Sequence, residues 1–117
     1  MAAQPQRPAS VRRRFPRRIF RRGIGVLSAG KYFIATGCEI GEGGVSFTTD
    51  TSIRIGGLVV LSFQIPDGQF ISVRAEVRNE AKNNEGHLNY GTAFETVSFE
   101  RKREIRNFVT NRPESEI

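Results

Sequence analysis

The residues best suited to chemistry in this chain are arginines near its start. Eight arginines lie between Arg7 and Arg22, and no acidic residue occurs before Glu39. Within this run the sequence RRFPR places Arg13 and Arg17 four positions apart around a Phe-Pro step. Proline disfavours a helix interior and pushes the residue before it towards an extended conformation. The segment is therefore predicted to display its guanidinium groups from a loop, where they can bind phosphate or a guanine edge.

The other polar candidates do not combine into a catalytic site. Glu39 and Glu42 are placed to face each other across a glycine-rich turn, EIGEGG, but no base accompanies them for acid–base work. The turn does not match the GxxxxGK or GxGxxG phosphate loops. His87 is predicted to be a surface residue in a polar turn without a nearby Cys or Asp, and Cys38 a small buried hydrophobe. No catalytic residue, metal or cofactor is predicted.

The chain has 117 residues, a length that fits one domain with a modest core. Charge is distributed unevenly along it. Residues 1–38 hold nine basic residues (eight Arg plus Lys31) and no acids, which gives +9. Residues 39–117 hold the other nine basic residues and all twelve acids, which gives −3 and the overall net charge of +6. A basic front on a slightly acidic body predicts localised anion binding.

The sequence predicts a cytoplasmic protein. One cysteine excludes an internal disulfide framework and fits a reducing compartment. No stretch approaches the roughly 18 to 20 apolar residues of a membrane-spanning helix. The basic N-terminus lacks a hydrophobic region of signal-peptide length. Peripheral attachment of the arginines to an anionic membrane stays open.

Short β-like runs separated by glycine-containing turns dominate the remaining sequence. The clearest is the run 70–77, in which polar and apolar residues alternate with the period of a half-buried strand. A turn over 83–86 predicts that this run and the next form a hairpin. The predicted strands contain residues 24–27, 32–35, 45–47, 58–65, 70–77 and 88–94.

The periodicity changes near the C-terminus. Ser98 can cap a helix, and Glu100 lies in its first turn, where the helix dipole favours an acid. Apolar residues then recur at Ile105, Phe108 and Val109, and Pro113 ends the segment. The predicted fold is mainly β: a six-stranded antiparallel barrel with a C-terminal α-helix.

The arginine segment, the glycine-rich turn and this strand pattern together resemble the PilZ domain family, receptors for the bacterial second messenger cyclic di-GMP. The family signature is RxxxR before the first strand and then (D/N)xSxxG, on a six-stranded barrel that ends in a helix. Arg13 and Arg17 match the first motif. Glu39, Gly41 and Gly44 align with the second. The resemblance extends to the strand sequences GLVVLSF and VRAEV and to the ending YGTAFETVSFERKREIRNFV.

The resemblance implies roles for these residues. Arg13 and Arg17 would bind phosphate and the guanine Hoogsteen edge, Glu39 would hydrogen-bond a guanine, and Gly44 would allow close backbone approach. Glu39 replaces Asp or Asn, and Gly41 replaces Ser, which removes a hydroxyl group. Losing one neutral hydrogen bond costs about 0.5–1.5 kcal/mol, so binding is predicted to survive in weakened form.

Two further hypotheses concern neighbouring arginines. Arg12 is an additional donor that favours a stacked ligand dimer over a single molecule. An alternative register would pair Arg14 with Arg18, although Pro16 fits the pairing of Arg13 with Arg17 better. The predicted ligand-binding set is Arg12, Arg13, Arg14, Arg17, Glu39, Gly41, Gly43 and Gly44.

The predicted organisation is a basic tail (1–11), a PilZ domain (12–112) and a short C-terminal tail (113–117). The leading functional hypothesis is a ligand-gated adaptor for an unidentified protein partner, in motility, pili, polysaccharide synthesis or an enzyme complex. One alternative is a degenerate PilZ domain that binds protein without a ligand. Another is a small barrel whose basic tail binds RNA or DNA, although no specific nucleic acid is expected.

Overall fold

The structure, a computed structural model, describes residues 16–111. Residues 1–15 and 112–117 lie outside this range, so the predicted domain boundaries stay predictions. Within it the chain forms seven strands and one helix. Their bounds are β1 Arg18–Ile19, β2 Gly23–Ser28, β3 Lys31–Gly41, β4 Gly44–Thr49, β5 Leu58–Gln64, β6 Phe70–Lys82, β7 Leu88–Phe94 and α1 Phe99–Thr110.

Strands β2 to β7 form a closed antiparallel barrel. Their order is β3, β2, β5, β6, β7 and β4, and the pairing of β4 with β3 closes the sheet. The alternation predicted for 70–77 is present, because residues 71, 73, 75 and 77 are buried. The predicted hairpin is the antiparallel pair β6–β7. The prediction of a six-stranded barrel with a C-terminal helix is confirmed.

The two-residue strand β1 brings Pro16 and Arg17, which directly precede it, to the glycine-rich turn. Ile19 pairs with Glu39 and Gly23 pairs with Thr36. The four residue steps from Ile19 to Gly23 therefore lie opposite only three steps of β3, from Glu39 to Thr36. The extra residue is a bulge that separates β1 from β2 while both follow β3. The chain just before Arg18 is therefore held beside the C-terminal end of β3.

Helix α1 packs its apolar face onto the barrel. Ile105 and Val109 are buried, and the ring of Phe20 contacts both Phe63 and Phe108 edge-on, at centroid distances of 5.6 and 5.9 Å. The Ser98 side chain caps the helix by accepting a hydrogen bond from the N–H of Arg101 at 3.2 Å. The predicted cap and core positions of the helix are confirmed. At 12 residues, the helix in the described part of the chain is too short to cross a membrane.

The connection between β4 and β5 is held against the barrel by a buried tyrosine. The hydroxyl group of Tyr90 accepts a hydrogen bond from the N–H of Ile53 at 2.7 Å and donates one to Glu80 at 2.9 Å. Burial raises the pKa of Tyr90 above its ordinary value. The connection is also tied to β6, where the N–H of Gly56 donates to the carbonyl oxygen of Val77 at 2.7 Å.

Candidate ligand-binding site

A concave polar surface covers the outside of β3, β4, β7 and the end of β6, and we call it the polar face. It encloses about 1460 Å³ and is bordered by the segment that precedes and includes β1. Hydroxyl, amide and charged groups project from alternate positions of these strands. Its lining includes Arg17, Cys38, Glu39, Ser46, Thr48, Arg78 and Asn89.

A bulge in β3 places two consecutive side chains on the polar face. Gly37 pairs with Phe47, whereas Glu39 pairs with Ser46, so the register of β3 shifts at Cys38. Cys38 and Glu39 are both half-buried on the outside, between the buried residues Gly37 and Ile40. Without the bulge, strict alternation would turn one of these two side chains into the core.

The prediction that Cys38 is a buried hydrophobe is wrong. Its sulfur lies 3.4 Å from Oγ1 of Thr48 and 3.7 Å from Oδ1 of Asn89, both on the polar face. The thiol group is half-exposed among polar groups because the β3 bulge turns it outwards.

Arg17 and Arg18 have different surroundings. Arg17 is half-buried and lines the polar face. Arg18 donates a hydrogen bond to the carbonyl oxygen of Phe108 at 2.7 Å, and its guanidinium carbon lies 4.1 Å from the centre of the Phe108 ring. Of these two residues, Arg17 lines the polar face and Arg18 does not. Arg12, Arg13 and Arg14 lie outside the described residues.

The three glycines of the turn have different environments. A Cβ atom on Gly41 would lie 2.9 Å from the carbonyl oxygen of Pro16 and 3.3 Å from Cγ of Arg17. The arginine segment therefore occupies the space that a serine side chain would need at this position. Gly43 lines the polar face, and a Cβ atom there would meet nothing within 4 Å.

Gly44 faces the neighbouring strand. A Cβ atom on Gly44 would lie 1.9 Å from the carbonyl oxygen of Thr92 and 3.2 Å from Cα of Ala93. Close approach of β4 and β7 thus requires glycine whether or not a ligand binds. The role of Gly44 in ligand binding stays a prediction.

Glu42 does not face Glu39, so that pairing is wrong. Its buried carboxylate accepts two hydrogen bonds from Arg106 of α1, from Nε at 2.8 Å and from Nη2 at 3.1 Å. The hydrogen bond from Arg106 holds the pKa of Glu42 below its ordinary value of 4.5, with help from the charges of Arg106 and Lys102. This pair fastens the glycine-rich turn to the helix.

Replacing Glu42 with glutamine is expected to lower the free energy of unfolding most at neutral pH. Because the folded-state pKa is lowered, the pair stabilises the fold above pH 4.5, and this contribution is lost as the pH falls through the folded-state value. The difference between wild type and Glu42→Gln should therefore shrink below pH 4.5. Urea unfolding followed by circular dichroism over this pH range measures it.

The matched control is Glu100→Gln, which removes the same charge from an exposed position in the first turn of α1. Curves of unfolding free energy against pH that run parallel for wild type and Glu42→Gln would contradict a stabilising ion pair.

His87 lies next to an aspartate that is distant in the sequence. The prediction that no Cys or Asp lies near His87 is therefore wrong. Its Nδ1 contacts the carboxylate of Asp50, which lies at the end of β4. The backbone N–H of His87 also donates to Oδ1 of Asn83 at 2.9 Å. Within residues 16–111, no group of three or more His, Cys, Asp or Glu side chains is arranged to hold a metal ion.

Sequence reasoning did not single out several polar residues of this face. Ser46 and Thr48 could have been found, because they alternate with the buried Val45 and Phe47. Asn89 and Arg78 come from strands distant in sequence, and only the pairing of β4 with β7 and of β7 with β6 brings them here.

A closed barrel with a helix packed on it and a concave polar surface lined by Arg17 and Glu39 defines a small β-barrel domain. The family comparison agrees, because residues 11–111 match the PilZ domain. The chain belongs to the PilZ domain family.

Solved structures share the fold. The Bacillus subtilis inhibitor of motility (MotI/DgrA) superposes with a TM-score of 0.76 at 14% identity, over 83% of this chain and 49% of that protein. The PilZ domain of YcgR from Escherichia coli, determined with cyclic di-GMP, has a TM-score of 0.65 at 12% identity, over 84% and 88% of the two chains.

A third relative is the MrkH–cyclic di-GMP complex of K. pneumonia, with a TM-score of 0.63 at 18% identity, over 80% of this chain and 48% of that one. The chain thus spans about half the length of MotI and MrkH. A search of curated proteins finds no significant match.

Proposed function

We propose that this chain is a cyclic di-GMP receptor that binds the dinucleotide on the polar face. The observation that carries the proposal is the pairing of β1 with β3, since Ile19 pairs with Glu39 and Arg17 directly precedes β1. Arg17 and Glu39 line the same groove. Family membership supports the proposal, as do the relatives YcgR and MrkH, whose structures contain this ligand.

The chemistry of the polar face suits both parts of the ligand. Cyclic di-GMP carries two phosphates, which arginine forks bind by charge-assisted hydrogen bonds, and two guanines, whose O6 and N7 atoms arginine also pairs with. The carboxylate of Glu39 can accept hydrogen bonds from the N–H groups of guanine. Ser46, Thr48 and Asn89 add neutral donors and acceptors on the same surface. The proposed contacts of Arg12, Arg13 and Arg14 rest on the sequence.

The receptor acts in this proposal as a ligand-gated adaptor, because the glycine-rich turn beside the polar face is fastened to helix α1 by an ion pair. Glu39 belongs to the same turn as Glu42, which holds Arg106 on the helix. A ligand that contacts this turn therefore acts on a segment fastened to α1.

Calorimetric titration of the wild-type chain with cyclic di-GMP tests the proposal. We expect heat of binding that persists at raised salt concentration, with no comparable binding of GMP. Absence of heat would reject the receptor function. Strongly salt-dependent binding of any oligonucleotide, without preference for the cyclic dinucleotide, would instead favour a nucleic-acid-binding barrel. A stoichiometry near one ligand per chain would refute the stacked dimer.

Bound cyclic di-GMP is expected to slow the reaction of Cys38 with a maleimide severalfold. Cys38 is the one cysteine in the chain, and it lies half-exposed on the polar face, where a bound ligand would cover it. The rate is measured by mass spectrometry with and without saturating ligand. GMP at the same concentration is the control, and an unchanged rate with the dinucleotide would place the ligand elsewhere.

A further inference from the structure

Helix α1 presents a second, chemically distinct surface away from the barrel. Phe99, Lys102, Arg103 and Arg106 follow one another at i, i+3, i+4 and i+7, so they share one side of the helix. All four are exposed, and the ring-bearing residue Phe99 is 66% exposed. We call these four residues the outer helix face. It joins one large apolar side chain to three cations.

Two of these cations are held in place by contacts within the protein. The guanidinium carbon of Arg103 lies 5.1 Å from the centre of the Phe99 ring, a cation–π arrangement that keeps both side chains together. Arg106 is fixed by its two hydrogen bonds to Glu42. Side chains already held in position lose less conformational entropy when a partner binds.

The outer helix face keeps a positive charge that the rest of the described chain does not neutralise. Within residues 16–111, Lys102 and Arg103 form no ion pair with an acidic side chain, whereas Arg106 shares the single carboxylate of Glu42.

We infer that the outer helix face is a docking surface for an acidic segment of a partner protein, which receives Phe99 in an apolar socket. Charge complementarity selects the acidic partner, since Lys102 and Arg103, which form no ion pair within residues 16–111, attract carboxylates. Aromatic and arginine residues are the types enriched at protein interfaces and their energetic centres. The exposed ring of Phe99 favours a protein, which can offer an apolar socket, over a phosphate backbone, which cannot.

This surface goes beyond the proposed function, because its contacts involve none of the residues proposed to bind cyclic di-GMP. Among residues 16–111, the Glu42–Arg106 ion pair joins the outer helix face to the glycine-rich turn. Docking of an acidic segment therefore does not require the dinucleotide. An experiment can therefore reject the docking surface without rejecting the binding of cyclic di-GMP, and the reverse.

Fluorescence anisotropy tests the inference with a labelled synthetic peptide of alternating glutamate and leucine pairs. The full wild-type chain is expected to bind this peptide. Lys102→Glu with Arg103→Glu, and separately Phe99→Ala, should each weaken binding about tenfold or more, because truncating an interface centre costs over 1 kcal/mol. Raised salt should weaken the charged contribution.

The matched control is Arg22→Glu with Arg54→Glu, which changes the net charge equally at exposed positions outside both surfaces. Circular dichroism checks that every variant is folded. The inference is overturned if the wild type does not bind, if the control loses as much affinity as the helix variant, or if a labelled oligothymidine binds more tightly through Lys102 and Arg103. Peptide binding that persists in Arg13→Ala, Arg17→Ala separates this surface from the ligand site.

Discussion

Replacing Arg13 and Arg17 together with alanine is expected to weaken binding of cyclic di-GMP by about 100-fold or more. Hydrogen bonds to charged groups contribute about 1.5–3 kcal/mol each, and 1.4 kcal/mol corresponds to a factor of ten. Two such contacts therefore exceed the cost of the hydroxyl group that is absent at Gly41. Arg17 and Glu39 both line the groove. Isothermal titration calorimetry measures the loss.

The control for this experiment removes the same charge elsewhere. Arg22 and Arg54 are exposed and do not line the polar face. Arg22→Ala with Arg54→Ala should therefore weaken binding only through the loss of long-range charge attraction. Added salt screens that attraction. Equal losses in the two double variants would show that the arginines attract the ligand unspecifically. Full affinity in Arg13→Ala, Arg17→Ala would remove both residues from the site.

Replacing Gly44 with alanine is expected to lower the free energy of unfolding by about 2–3 kcal/mol or more, as strong overpacking does. The new methyl group would overlap the backbone of Thr92, and a backbone atom cannot move away as the end of a flexible side chain can. Thr92 is itself fixed, because its hydroxyl group donates to the carbonyl oxygen of Val45 at 2.7 Å. The pairing of β4 with β7 must therefore shift. Urea unfolding measures the change.

Gly43 provides the matched control for Gly44. Alanine at Gly43 would meet nothing within 4 Å, and its backbone does not have a positive φ. The substitution should leave stability nearly unchanged, or raise it by up to about 1 kcal/mol by restricting the unfolded chain. Equal destabilisation at both positions would contradict the packing explanation. An effect of Gly43→Ala on ligand affinity alone would assign Gly43 to the site.

Much of the fold follows from periodicity in the sequence. The alternation over 70–77 specifies which side chains of β6 are buried, and the hydrophobic effect then fixes the orientation of that strand. Ser98 and the spacing of Ile105 and Val109 specify the helix in the same way. These signals are local, so a single sequence contains them.

The candidate site is less accessible to such reasoning. Its motif positions Arg17 and Glu39 are visible in the sequence, and the structure places both on the polar face. The bulge at Cys38 interrupts the alternation of β3 without any glycine or proline at that residue. The contact of Glu42 with Arg106 spans 64 residues. Long-range pairs of this kind depend on how the strands associate, which periodicity does not report.

Closure of the six strands has a consequence for self-association. A sheet edge exposes unpaired backbone N–H and C=O groups that can recruit a strand from another chain, the usual route to ordered aggregates. Here β3 and β4 bond to each other, so the barrel closes, and the stretches of these strands that are paired on both sides offer no such template. A molecule that recognises these fully paired stretches must therefore do so through side chains, whose identity evolution can change one position at a time.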